Sequence, residues 1–235
     1  CKTFFAQNCC VYKTFFVISM PIVNEVMSKC RPLEFFPDYI KQGYYPFGTE
    51  GFALYHQRVE NIVDMLLNIE LPQLRSVDIG NIRKIKALLA IISTEVPMLV
   101  DITKLATLTG IARTTMLAYL QYLHEAKLIR LLYSDDLSVK KMQKPDKILM
   151  ENTNLLQALS LQVPNIGTMR ETFFCNQLGY THQVEYNKRG DYLIEHKYVF
   201  EIGGKAKDGL HPGHQLQDRG LALRGFAGLQ PGVDH

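Results

Sequence analysis

The 235-residue chain has no tryptophan, five cysteines and no long apolar run. Cys1, Cys9, Cys10, Cys30 and Cys175 are odd in number, include one adjacent pair and lack C-x-x-C spacing. That pattern excludes a fully paired disulfide framework and a thiolate metal cage, and it predicts free thiols in a reducing cytoplasm. The longest apolar run near the start, FFVISMPIV over 15–23, is too short to span a bilayer. No small-residue cleavage site of a signal peptide is present, so no membrane partner is expected. Nothing fits G-x-x-x-x-G-K-[ST]. The GGKA at 203–206 fails because Val199 stands where the first glycine belongs and Ala206 follows Lys205. Without a P-loop the chain binds no ATP in that way. Neither a G-x-S-x-G elbow nor a Cys/His pair points to covalent catalysis. Charge of one sign is also lacking: 26 basic against 23 acidic residues leave a net +3, so any nucleic-acid contact has to come from local clustering.

What is present falls into four stretches: 1–72 as a helical linker, 73–142 as a winged helix, 143–205 as a small α/β sheet domain, and 206–235 as an irregular tail. In the first, Phe52, Tyr55, Val59, Ile62, Val63, Leu66 and Leu67 fall at three- and four-residue steps, predicting one apolar helix face that Pro72 closes. In the second, Asn81 is read as the cap of a helix through Ile82, Ile85, Leu88, Leu89 and Ile92. Asp101 caps a short helix ending at Gly110, which is free to turn left-handed. A third helix spans 112–126, LIRLLY reads as a strand, and 134–141 would be the wing. Half of the 16 glycines lie from Gly203 onward, without a period, which predicts that the tail is loop rather than core.

Between Gly167 and Lys205 lie a helix with Glu171 and two strands, with Asp191 at the start of one and Glu201 at the end of the next. A helix acid, two strand acids and a nearby lysine make the layout of a metal-dependent phosphodiesterase of the restriction-endonuclease type. Asp191 and Glu201 would hold Mg²⁺, a hard cation that takes carboxylate oxygens. The lysine usually stands two residues after the second acid, where Gly203 is found. Lys205 is four residues on, about 6.6 Å further along a strand at ~3.3 Å per residue. Glu171 is expected to face the site on the side opposite Phe174, and a relic site is favoured over an active one. His211 and His214 have no third ligand at hand for zinc. His56, His124, His182 and His196 read as isolated surface residues.

The runs SKCRPLEFFPDYIKQGYYPF, KPDKILMENTNL, NIGTMRETFF and EIGGK resemble the C-terminal half of a group of prokaryotic AAA-superfamily ATPases. The resemblance covers roughly 21–205. It implies an α+β fold in which a helical linker, a remnant of the ATPase lid region, leads into a winged helix and a restriction-endonuclease-like domain. It also implies that the ATPase core, and with it ATP, belongs to sequence outside this chain. The Gly/His-rich tail departs from the family pattern, and a truncated or frame-shifted product is expected from both ends. The chain is then read as the recognition and coupling portion of an ATP-binding protein. A Mg²⁺-dependent nuclease and a protein-interaction module are the alternatives.

Duplex DNA is the nucleic-acid partner to weigh. On the third helix Met116, Leu117, Leu120 and Leu123 are expected to be buried. Thr115, Ala118, Tyr119 and Tyr122 form the opposite face, with Arg113 and Thr114 at its N-terminal end. Base readers normally present Arg, Lys, Asn or Gln, so the tyrosines are expected to pack on a neighbouring domain or chain. DNA contact falls to Arg113, Thr114 and the wing lysines Lys140 and Lys141, with Lys144 and Lys147 after them.

Overall fold

A computed structural model describes residues 25, 28, 29, 31, 34–75, 77–134 and 144–202 and shows an α+β fold. Helix α1 (Phe36–Gln42) and a 3₁₀ turn (Pro46–Glu50) each carry a proline in the first turn, where the N–H groups have no partner. Helix α2 (Tyr55–Met65) runs through a π-helical turn (Leu66–Glu70) into α3 (Leu71–Arg75). Pro72 therefore sits inside the helix that it was expected to close. In the π turn the Leu71 N–H bonds the Leu66 carbonyl, so the ladder is already broken where proline has no N–H to give. The buried face is Tyr55, Val59, Val63, Leu67 and Leu71, whereas Phe52 and Ile62 are exposed.

Helix α4 (Ile79–Glu95) is capped by Asp78, not Asn81: the Asp78 carboxylate accepts the Gly80 N–H at 2.6 Å. Strand β1 (Met98–Leu99) follows, then α5 (Ile102–Thr109). Asp101 caps α5, accepting from the Thr103 and Lys104 N–H groups at 2.9 and 3.0 Å. Gly110 ends it with φ 65°, a left-handed position open to glycine at little cost. Helix α6 (Arg113–Glu125), β2 (Ile129–Leu132) and β3 (Lys147–Met150) complete an antiparallel sheet of order β1-β3-β2. Lys140 and Lys141, expected in the wing, lie outside the described residues, as do Gly203, Lys205 and the tail.

Helices α7 (Thr153–Leu159) and α8 (Ile166–Leu178) are capped by Asn152 and Asn165. Strands β4 (Val184–Tyr186), β5 (Tyr192–Ile194) and β6 (Tyr198–Phe200) form a second antiparallel sheet in that order. The two sheets touch where Tyr186 donates its N–H to the Tyr133 carbonyl at 2.9 Å.

Strands β2 and β3 are buried throughout rather than alternating between core and solvent. Ile129, Leu131, Ile148 and Met150 face the main core, built largely on α2, α4, α5 and α6. The alternate residues Leu132 and Leu149 face a smaller core with Phe174, Cys175, Tyr192 and Ile194. With protein on both faces, every strand position is inside, and the period-2 signal disappears. No helix among the described residues is long and apolar enough to cross a membrane.

Candidate functional site

Two cations, Arg130 and Lys147, are built into this buried sheet, one on each of two paired strands. Each sits one residue out of step with the main-core positions, so each points toward α8 and the second sheet. A buried charge requires a partner, and each has one carboxylate. Lys147 Nζ donates to Glu171 Oε2 at 2.7 Å, with side chains 9% and 17% exposed. The Tyr192 hydroxyl donates to the same oxygen at 2.5 Å. The ammonium lies 4.5 Å from the Tyr192 ring centroid, within cation–π range. Cys175 lies fully buried in the same core, and burial pushes its thiol up to about 12, leaving it un-ionised and inert at neutral pH. Burial likewise raises the Tyr192 phenol well above its ordinary value.

The second pair is Arg130 with Glu151, at 2.5 Å and with side chains 10% and 2% exposed. Gly179 lets Arg130 lie there, since a Cβ at 179 would come 1.8 Å from the guanidinium. Sequence reasoning missed Arg130, Glu151 and Tyr192 altogether and grouped Lys147 with the solvated wing lysines. The available signal was a lone cation within each apolar strand, LIRLLY and KILM.

The acids expected to act together are divided. Asp191 and Glu201 come to the same end of the β5–β6 hairpin. The Asp191 N–H bonds the Phe200 carbonyl at 2.9 Å and its Oδ2 accepts the Ile202 N–H at 2.6 Å. Glu171 is occupied elsewhere, by Lys147 and Tyr192. It also shares its side of α8 with Phe174 instead of opposing it, because both pack on Tyr192 and residues three apart are helix neighbours. Among the described residues, no group of three or more His, Cys, Asp or Glu side chains could hold a metal ion. Lys205, the fourth member of the expected set, lies outside them. Two of the histidines read as isolated are paired: His182 with Glu195 at 3.3 Å and His196 with Glu185 at 2.9 Å.

On α6, Met116, Leu120 and Leu123 are buried as expected, but so is Tyr119, at 6% exposure, while Leu117 is only partly covered. The tyrosine side is covered by the chain's own helical linker. Arg75 of α3 lies 5.2 Å from the Tyr122 ring centroid and pairs with Glu125. The periodic count placed Tyr119 outside, whereas it belongs to the main core. Arg113 donates to the Thr103 hydroxyl at 2.6 Å, and Thr114 is exposed beside it. Lys144 is exposed as well, and both Lys144 and Arg113 act electrostatically on Asp101.

Residues 33–165 match a family model described as a domain of unknown function, DUF8612. No curated protein and no solved structure matches the chain.

Proposed function

The chain belongs to that family, and we propose that it is the recognition and coupling portion of an AAA-superfamily ATP-binding protein, working in the cytoplasm. ATP binding and hydrolysis are assigned to sequence outside this chain. The observation that carries the reading is the order α4, β1, α5, α6, β2, β3 with sheet order β1-β3-β2. That order supports a winged-helix reading, in which α6 would take the place of the recognition helix. It stands beside the sequence resemblance, whose quoted runs contribute α1, β3, α7 and α8.

In this reading α6 does not decipher bases. Its outward side offers Thr114, Ala118, Gln121 and Glu125, and Gln121 and Arg75 both bond Glu125. That side ends in the Glu125 carboxylate, and the helix carries no Arg or Lys after Arg113 to meet phosphate. Duplex DNA is instead met through the wing, by Lys140 and Lys141, with Arg113 and Thr114 at the edge. Such contacts position a protein on the backbone without specifying sequence.

A Mg²⁺-dependent nuclease is the second reading, favoured by the convergence of Asp191 and Glu201 at one hairpin end. It is weaker, because an ammonium 2.7 Å from Glu171 would have to be displaced before that carboxylate could take a hard cation.

The locus tests the principal reading. An in-frame G-x-x-x-x-G-K-[ST] within about 300 residues upstream, the length of one or two domains, is the expected result. A locus with no such segment sinks the ATPase assignment.

A further inference from the structure

Residues 36–50, comprising α1, the turn at Gly43–Tyr45 and the 3₁₀ turn, are attached to the body in an unusual way. Helix α1 has no buried residue, and in the 3₁₀ turn only Gly48 is buried. Ile40, Tyr45 and Phe47 pack on the main core from its edge, and Phe36 and Tyr39 meet Phe173 of α8 edge-on. The apolar anchorage that fixes α4 and α6 is therefore thin here.

Beside surface ties such as Arg58 to Glu50 and His56 to the Lys41 carbonyl, the buried polar anchorage centres on one side chain. Asn154 of α7, with 0% exposure, accepts the Tyr44 N–H at 2.8 Å and the Tyr55 hydroxyl. Its amide donates to the Ile40 and Tyr39 carbonyls at 2.7 and 3.1 Å. Three of these four partners are main-chain groups of the 36–50 segment, about 110 residues away in sequence. Asn152 adds a bond to the Tyr45 hydroxyl at 3.0 Å, and Asn176 one to the Tyr44 hydroxyl at 3.3 Å.

The segment also keeps a preset shape. Pro37 and Pro46 stand in the first turns of its two helical elements. A Cβ at Gly43 would lie 2.6 Å from Tyr39 Cα, and one at Gly48 would lie 2.8 Å from the Gln42 carbonyl oxygen. Local rigidity joined to a polar, edge-on attachment is the makeup of an element that opens as a unit, at lower free energy than the core beneath it.

We propose that residues 36–50 are a releasable strap and that Asn154 is its latch. Opening leaves the strap folded on its own prolines and glycines. It uncovers Asn152, Asn154 and Asn176, which lose their bonds to the strap while Asn176 keeps the Glu151 carbonyl.

Hydrogen–deuterium exchange on the full 235-residue chain tests this. In Asn154→Ala, amides within 36–50 should exchange at least about tenfold faster than in the wild type, while those within 79–95 and 113–125 keep wild-type rates. Equal acceleration of all three regions, or none in the strap, overturns the proposal. Tyr55→Phe keeps the ring in place and removes its hydroxyl bonds to Asn154 and Tyr45. It should give a smaller acceleration confined to 36–50. Should Asn154→Ala fail to fold, Tyr55→Phe alone decides by the same two outcomes.

Discussion

Lys147 and Glu171 meet at 2.7 Å in the seam between the two sheets, and their pairing removes the helix acid from the set that the sequence pattern assembled. The ammonium comes from a strand of the first sheet, the carboxylate from α8, and the Tyr192 hydroxyl on the same oxygen from the second sheet. One polar contact thus ties three elements together in a buried seam.

Breaking this pair from one side should be costly. Glu171→Gln or Lys147→Met alone is expected to lower unfolding free energy by about 3 kcal/mol, because a single buried charge is left without its counterion. The double variant should lose less than the sum of the two. Urea titration of the four proteins checks both statements; additive losses would show that the two side chains do not interact.

Gly179→Ala should act through Arg130. The added methyl would overlap the guanidinium and lie 2.7 Å from the Cys175 carbonyl oxygen, so either the Arg130–Glu151 pair or the end of α8 must move. A loss of about 2 kcal/mol is expected, in the range of overpacking in a filled core. Denaturant midpoints compare the variant with the wild type, and an unchanged midpoint would mean that Arg130 has another position of equal energy.

Cleavage of supercoiled plasmid with Mg²⁺ or Mn²⁺ separates the two functional readings. Wild type and Asp191→Ala should be indistinguishable. Metal-dependent nicking that disappears in Asp191→Ala would establish the nuclease reading, with Asp191 as its metal ligand.

Binding to duplex DNA should weaken steeply with salt. Replacing Lys140 and Lys141 by alanine should make the log K against log[salt] slope shallower by roughly 2, at about 0.9 for each phosphate that is no longer neutralised. Fluorescence anisotropy over a salt series measures it. No binding at low salt, or an unchanged slope, removes the wing from the interface.

Asp101 gives a pH signature. The Lys104 N–H, and with it the Thr103 N–H, holds its carboxyl below the ordinary value of 3.8. A group whose folded pKa is depressed stabilises above its unfolded value, and that contribution is lost as pH falls through the folded one. Below pH 3.8 the wild-type Tm should therefore fall more steeply than that of Asp101→Asn, which keeps a capping oxygen without the titration. Parallel curves from about pH 7 to about pH 2.5 would contradict the cap's role.

How much of this was legible depended on the range of the interaction concerned. Asp101, Gly110 and the bounds of α6 were readable, because caps and left-handed turns are decided within about four residues of chain. Asp78 was overlooked in favour of Asn81, three residues along, and Pro72 misled because a π turn prepares its place. Tyr119 is buried and Ile62 exposed, the reverse of what the helical period predicted, because which helix side is covered depends on tertiary docking.

The candidate site divided in the same manner. The sequence by itself determined the mixed α+β class, the absence of a P-loop, and the hairpin that brings Asp191 and Glu201 together, all matters of local pattern or local pairing. Only the tertiary structure decided that Glu171 belongs to Lys147 and Tyr192, that Arg130 belongs to Glu151, and that Asn154 holds the 36–50 segment. Each of these partners lies between 21 and 115 residues away along the chain. Burial makes such bonds obligatory, since charges and amides inside a core must find partners. Which partner they find is set by how helices and sheets dock.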